Sequence, residues 1–142
     1  MPSLSKPTNG VNTDYANRIG ALFDAINSGT GVKGTTTPTP TATSGTFTSV
    51  SASVSYTEYA DRVFVRIRVT ITTNGTAATS VKVPLPFTPA EVTALCGVES
   101  QATGVALTGY FNTDGIAHIF KYDGTYPGAD GRSLEVAGEF RK

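Results

Sequence analysis

The sequence predicts a mainly β protein, an antiparallel β-sandwich of jelly-roll-like type preceded by an N-terminal arm and one short α-helix. In Arg62–Thr72, RVFVRIRVTIT, aliphatic side chains occupy every second position, and this period of two places them on one face of a strand. About seven segments of this kind recur at intervals of about 8–12 residues, separated by turn residues. Charged residues make up only 15% of the chain, which suits a sheet with many turns better than a helical enzyme.

Length and composition exclude several classes of protein. With 142 residues the chain is expected to form one domain, and its formal net charge of zero argues against a nucleic-acid partner. Cys96 is the single cysteine, so no intrachain disulfide forms, as expected for folding in a reducing cytoplasm. The first twelve residues lack the apolar core of a signal peptide. No run reaches the ~20 apolar residues of a membrane span, so we expect no membrane insertion.

Residues 1–29 are predicted to form an arm and a helix that anchor or oligomerise the protein. Met1–Val11 is polar, and Thr13–Asn27 is predicted to be helical, ending at Gly29. One apolar stripe runs along this helix and consists of Tyr15, Ile19, Leu22, Phe23 and Ile26. The stripe either docks on the protein's own sandwich or packs against copies of itself or a scaffold. The Gly/Thr/Pro-rich segment that follows favours the second alternative.

Residues 30–45 are predicted to be a linker, and residues 46–142 the β-sandwich. The linker has no periodicity, and its prolines favour an extended path. Strands are expected at Thr46–Thr57 and Arg62–Thr72, followed by a hairpin turn at Asn74-Gly75. Ser80–Phe87 is predicted to be a strand that lies at an edge of the sheet, at least at its end, because its two prolines lack N–H donors.

The remainder is predicted to alternate between turns and strands. Thr88–Cys96 is interpreted as a short helical turn, with Pro89 at its start. A weak strand pattern follows within Val98–Phe111, and a stronger one within Ile116–Tyr122. After a Gly-rich loop, the last strand is expected to run over Arg132–Arg141, which places the C-terminus in the sheet.

The residues show no reaction chemistry, so we expect no enzyme and no cofactor. His118, the single histidine, lies within a predicted strand without a nucleophile motif, and Cys96 is interpreted as a small buried thiol. Asp114, Asp123 and Asp130 adjoin glycines, which is typical of tight turns, although loop aspartates are also calcium ligands. A glycan depolymerase would need paired carboxylates, and the sequence gives no reason to pair any two.

Two groups of side chains are candidates for contacts with other molecules. Tyr59, Tyr110 and Tyr126 are predicted to lie in loops or at strand ends, where they either stack on sugar rings or serve packing. A second group is basic and is expected to pair with Glu58, Glu135 and Glu139. It consists of Arg62, Arg66, Arg68 and Arg132.

From Thr37 onward the chain resembles the C-terminal β-sandwich module of tailed-bacteriophage virion surface proteins, the head-decoration proteins and the knobs of head or tail fibres. The resemblance rests on five stretches in order: TPTPTATSGTFTS, YTEYADRVFVRIRVTIT, TNGTA, SVKVPLPFTPA and DGTYPGADGRSLEVAGEF. Unlike longer fibres, this sequence has no extended shaft or coiled coil.

The resemblance implies a homotrimer displayed on a virion that is assembled in the host cytoplasm. Its N-terminal part would attach to the major capsid protein or to a tail or portal component, with the sandwich facing outward. The expected function is therefore structural, as capsid decoration (cement) or a short fibre. The alternative is a receptor- or carbohydrate-binding fibre or spike module that binds a host surface glycan.

Overall fold

The computed structural model describes residues 31–142, together with residues 17, 19, 20 and 29. The described chain is mainly β, as predicted, and its strands form one curled antiparallel sheet of nine strands with the order β1-β3-β4-β9-β6-β7-β8-β5-β2. The strands are β1 (Val32–Thr36), β2 (Thr41–Ser44), β3 (Ser49–Glu58), β4 (Arg62–Thr73), β5 (Ala78–Pro84), β6 (Thr93–Glu99), β7 (Ala106–Phe111), β8 (Ile116–Lys121) and β9 (Arg132–Arg141).

Strand β4 is an inner strand, which confirms the prediction from its alternating pattern. It pairs with β3 on one side and with β9 on the other. Its aliphatic residues are buried, from Val63 through Ile67 to Ile71, and the residues between them are exposed. The period of two in the sequence therefore corresponds to one face in the core and one face in water.

The hydrophobic core of the described residues lies between two halves of this sheet. Val54 and Ile67 come from the half that contains β1, β3, β4 and β9, and Val81 and Ile119 come from the other half. Aromatic pairs also bridge the halves. The rings of Phe111 on β7 and Phe140 on β9 lie 5.1 Å apart between centroids. The sheet therefore curls over its own buried face.

The segment 30–45 differs from the predicted linker because it contains both edge strands of the sheet. Strand β1 pairs with β3, and β2 pairs with β5 at the opposite edge. Only residues 37–40 join them, and a connection this short spans at most about 18 Å. The two edges must therefore lie near each other, which closes the curl.

Glycines allow neighbouring strands to approach closely where the sheet bends. A Cβ placed on Gly97 of β6 would fall on the carbonyl oxygen of Glu135 in β9. One placed on Gly109 of β7 would fall on the carbonyl oxygen of His118 in β8. Glycines inside strands commonly mark close backbone approach and sharp curvature. These two positions therefore help to set the bend around β6 and β7.

Two local predictions are corrected by the pairing of the strands. The predicted hairpin at Asn74-Gly75 is wrong, because β4 pairs with β3 and β9, whereas β5 pairs with β2 and β8. At the far end of β5, Pro84 lies beyond Lys82, where the cover by β2 stops, which agrees with the edge position predicted for the end of this strand. The predicted helical turn over Thr88–Cys96 is wrong, since β6 begins at Thr93 and pairs with both β7 and β9. Tertiary pairing overrides the helix-like start at Pro89.

Other predictions have different outcomes. The last strand, Arg132–Arg141, is confirmed. Hydrogen bonding joins the strands into one continuous sheet and does not by itself divide them into the two sheets of a sandwich. The predicted arm Met1–Val11 and helix Thr13–Asn27 lie outside the described residues, except for Asn17, Ile19 and Gly20.

Candidate functional site

The three tyrosines predicted as a glycan platform do not lie together. Tyr59 precedes β4, whereas Tyr126 contacts the turn that follows β4. This strand has 12 residues, and a strand of that length spans about 40 Å. Tyr110 is the second-last residue of β7. The structure therefore offers three separate aromatic positions.

Tyr126 supports the turn between β4 and β5. Its hydroxyl donates a hydrogen bond to Oδ1 of Asn74 at 2.6 Å, and burial raises the pKa of Tyr126 to about 12. The backbone N–H of Asn74 donates to Oδ1 of Asp130 at 2.7 Å. These hydrogen bonds stabilise the predicted Asn74-Gly75 turn. The hydroxyl proton of Tyr126 is used within the fold and not for binding a ligand.

Tyr59 also has a partner within the fold. Its ring meets the ring of Phe64 edge-on, with 5.6 Å between the centroids. Tyr59 is half-buried, whereas Phe64 is 45% exposed on the outer face of β4. The two rings form one small apolar area on the otherwise polar outer face of β4.

Tyr110 belongs to an aromatic cluster on the outer face of β7 and β8. Its ring stacks on that of His118 at 4.9 Å between centroids and 16° between planes, and the ring of Phe120 lies 6.2 Å away. Burial lowers the pKa of His118, Asp114 opposes this shift, and Lys82 adds to it. The imidazole is thus favoured in its neutral form, and the cluster carries no charge near neutral pH.

This cluster is part of a larger uncharged area, which we call the β6–β8 patch. Register places three outward positions side by side on each of β6 and β7, with matching positions along β8. The backbone N–H of Tyr122 bonds to the carbonyl oxygen of Ala106, which continues the register past the end of β8. The patch consists of Ala94, Cys96, Val98, Ala106, Thr108, Tyr110, His118, Phe120 and Tyr122.

Sequence reasoning missed this patch and misplaced Cys96. Cys96 is exposed at the patch surface, so its interpretation as a buried thiol is wrong. Val98 is 40% exposed and Tyr122 is 70% exposed. The alternation in Ile116–Tyr122 was the available signal, but the order of neighbouring strands was needed to place β6 and β7 beside it.

The outer face of β4 and β9 has the opposite character. Arg66 and Arg68 each bond to Glu135 through Nη2, at 2.7 and 2.6 Å, as the predicted pairing of basic and acidic residues requires. These hydrogen bonds hold the pKa of Glu135 below its usual value. Arg62 lies 3.9 Å from Glu139. This half of the face is charged, paired and well suited to water.

An open groove of about 910 Å³ runs along the outer side of β1, β3, β4 and β9. Its lining includes Lys33, Thr35, Phe64, Arg66 and Glu139. The groove therefore combines a mainly apolar surface with charged groups of both signs. Its titratable groups do not include a carboxylate pair of the kind that glycosidases use.

Glu99 is the most deeply buried acidic group among the described residues, at 1% exposure. Burial alone would raise its pKa. However, its carboxylate accepts hydrogen bonds from the hydroxyl of Thr103 and from the backbone N–H groups of Thr103, Gln101 and Ala102. These bonds lower the pKa of Glu99 to about 2. The carboxylate therefore fastens the turn after β6.

Replacing Glu99 by glutamine is expected to lower the free energy of unfolding at pH 7 by about 2 kcal/mol, because an amide cannot accept all of these bonds. The folded-state pKa lies below the unfolded one. The contribution of Glu99 is therefore present above about pH 4.5 and is lost as the pH falls toward 2. Urea unfolding at several pH values tests this, with exposed Glu91→Gln as the control. The assignment would be contradicted if Glu99→Gln unfolded with the same free energy as the unmodified protein, or if the loss did not depend on pH.

The carboxylates of the three loop aspartates, Asp114, Asp123 and Asp130, accept hydrogen bonds from backbone N–H groups. Oδ1 of Asp114 accepts the N–H of Ile116, and Oδ1 of Asp123 accepts the N–H of Thr125, both at 3.0 Å. Among residues 31–142 and the four described positions before them, no group of three or more His, Cys, Asp or Glu residues could hold a metal ion. The same part of the chain contains no helix long and apolar enough to cross a membrane.

Comparisons with protein families, curated proteins and solved structures found no match to this chain.

Proposed function

We propose that this chain is a non-enzymatic structural protein on the surface of a tailed-phage virion. In this role it is a capsid decoration protein or short fibre, anchored by its N-terminal segment, with a trimeric β-sandwich outward. The observation that carries the proposal is that β1 to β9 build the core from Val32 onward. The predicted apolar stripe of residues 15–26 is therefore not needed to complete any described strand pair.

The jelly-roll-like sandwich is part of the proposal. In this view the half containing β1, β3, β4 and β9 forms one layer, and β6, β7, β8 and β5 form the other. The shared core and the pairing of Tyr56 with Phe87, at 5.0 Å between centroids, support it. Residues 37–40, which join β1 to β2, pass from one layer to the other, as the corner segments of packed sheets do.

A structural role agrees with the state of the acidic groups. Glu99 fastens a turn, Glu135 binds two arginines, and Asp114 and Asp123 cap their own turns. A general acid or base usually has a pKa near the working pH, whereas the pKa values of Glu99, Glu135 and Asp123 are lowered. This supports a structural role for these acids.

The proposed partner of the N-terminal segment is the major capsid protein or a tail or portal component. A stable contact of this kind buries about 800 Å² on each partner. Three copies held together would bind with an increased effective concentration. Residues 1–30 would then act as the tether and the sheet as the exposed body.

Deletion of residues 1–30 is expected to abolish binding to particles while cooperative unfolding of the sheet persists, because β1 begins at Val32. Co-sedimentation with particles that lack the protein measures binding, and circular dichroism measures folding. In the full chain, Leu22→Asp should also abolish binding, whereas Asn17→Asp, off the predicted stripe, should not. Binding of the truncated chain with full-length affinity would refute the anchoring role.

The second candidate is a receptor- or carbohydrate-binding module for a host surface glycan. It is favoured by the partly exposed rings of Tyr110 and Phe120, since aromatic rings stack on sugars. A glycan array probed with the whole protein tests it. Loss of a specific signal in Tyr110→Ala, with retention in Tyr59→Ala, would support this function over the structural one.

A further inference from the structure

The outer face of the sheet is divided into a charged half and an uncharged half. On β4 and β9 the outward residues include arginine and glutamate. The β6–β8 patch contains no Asp, Glu, Lys or Arg, and the pKa of its one histidine, His118, is lowered toward the neutral form. Contiguous exposed apolar areas of this kind mark interaction sites. We propose that the β6–β8 patch is the interface between copies of this chain, with β6 of one copy packed against β8 of the next.

The two flanks of the patch have complementary sizes. Outward residues on β6 are small or medium, namely Ala94, Cys96 and Val98. Outward residues along β8 are large rings, namely His118, Phe120 and Tyr122. Register places the two sets at matching heights on either side of β7. When β8 of one copy packs on β6 of another, the large rings of β8 therefore lie over the small side chains of β6.

The curvature of the sheet is compatible with a closed ring of copies, and the number three is taken from the proposed function, on which this part of the inference rests. The outer face is convex, because the core lies on the inside of the curl. Two convex faces touch along one strand only. In three copies arranged around an axis, one strand of each copy faces the axis. Each copy then contacts its two neighbours through the strands on either side of that strand. With β7 facing the axis, the contacting strands are β6 of one copy and β8 of the next.

Charged groups border the patch on both sides. Lys82 on β5 pairs with His118 and lies just outside β8. Glu139 lies outside β6 on the neighbouring strand β9, toward the same end of the sheet. Its side chain is 52% exposed and has only a long contact with Arg62. In the proposed ring the lysine border of one copy meets the glutamate border of the next.

The patch alone is too small for a stable interface and would form only its apolar centre. Three strands and three outward positions per strand cover roughly 300 Å² of sheet. A stable contact needs about 800 Å² on each partner, so the charged borders must also be covered. An apolar centre surrounded by charges is the usual anatomy of such contacts. The inference does not depend on particle binding by residues 1–30.

The first test places a charge in the patch of the full chain. Thr108→Arg, at the centre of β7, is expected to weaken assembly at least about 100-fold, because an unpaired charge would be buried. Thr70→Arg makes the same change on the outward face of β4 and should leave assembly unchanged. Sedimentation equilibrium measures the mass, which should be three times 14.8 kDa for the unmodified protein. A monomeric unmodified protein, or equal masses for both variants, would overturn the proposal.

The second test is independent of destabilisation and reports which flanks meet. In Phe120→Cys treated with a thiol oxidant such as diamide, which takes up the two electrons and two protons, the new thiol should form an intermolecular disulfide with Cys96 of the next copy, giving covalent trimers on a non-reducing gel. Within one chain these positions flank β7, so their Cα atoms are about 10 Å apart, too far for a disulfide. Phe64→Cys is the control and should not cross-link. Covalent dimers alone, or no cross-linked product from folded protein, would refute the arrangement.

Discussion

Replacing Gly97 by alanine is expected to lower the free energy of unfolding by about 3 kcal/mol or more. The added methyl group would coincide with the carbonyl oxygen of Glu135 and lie against Cα of Val136, both on β9. These atoms belong to the backbone of a paired strand and cannot rotate away. Relief of the clash therefore requires β6 to move away from β9. The pairing of these two strands joins the two halves of the sheet. Denaturant unfolding followed by circular dichroism measures the loss.

Gly124→Ala is the matched control for this change. Its φ of 80° disfavours alanine by about 1 kcal/mol, but no atom lies within 4 Å of the added methyl group. We therefore expect a small loss at Gly124 and a large one at Gly97. Equal unfolding midpoints for the two variants would show that β6 and β9 are not in close backbone contact.

Phe111→Ala is expected to destabilise the protein by about 3–5 kcal/mol, which is the usual effect of emptying a large core position. The ring is completely buried at the end of β7 and packs against that of Phe140 on β9. It lies also against Gly138, where an added Cβ would stand 2.7 Å from the ring. The cavity would therefore open between strands that the ring holds in place. Thermal and denaturant unfolding both measure the effect.

Phe64→Ala tests whether this loss comes from burial. Phe64 is 45% exposed, and its main aromatic partner is Tyr59. We expect its removal to lower the free energy of unfolding by less than about 1 kcal/mol. A similar loss for both variants would place Phe111 outside the core and contradict the packing of β7 against β9.

The parts of the fold that the sequence predicted are those in which local pattern and tertiary environment agree. Strand β4 alternates over its length because β3 and β9 cover its edges and the core covers one face. The turn at Asn74-Gly75 follows from local backbone preference, with Gly75 at a φ of 65°, although β4 and β5 on either side of it are not paired as a hairpin. In such segments nearby residues suffice to specify the structure.

Strands β1 and β2 could not be predicted because their own residues favour no regular structure. Thr, Gly and Pro are typical of linkers, and only the edges of β3 and β5 give Val32–Thr36 and Thr41–Ser44 their hydrogen bonds. The β6–β8 patch was missed for a related reason. Each of its strands contributes alternate residues, and the area becomes continuous only when the order of strands is known.

The continuous path from β1 through residues 37–40 into β2 also decides how the sheet would bear mechanical load. Tension applied from the N-terminal side enters at Val32 and runs along β1, parallel to the strand and across its hydrogen bonds with β3. Such a pull shears several bonds together instead of opening them one after another. The same segment continues into β2, which pairs with β5 at the opposite edge, so both edges of the sheet would resist a pull on β1.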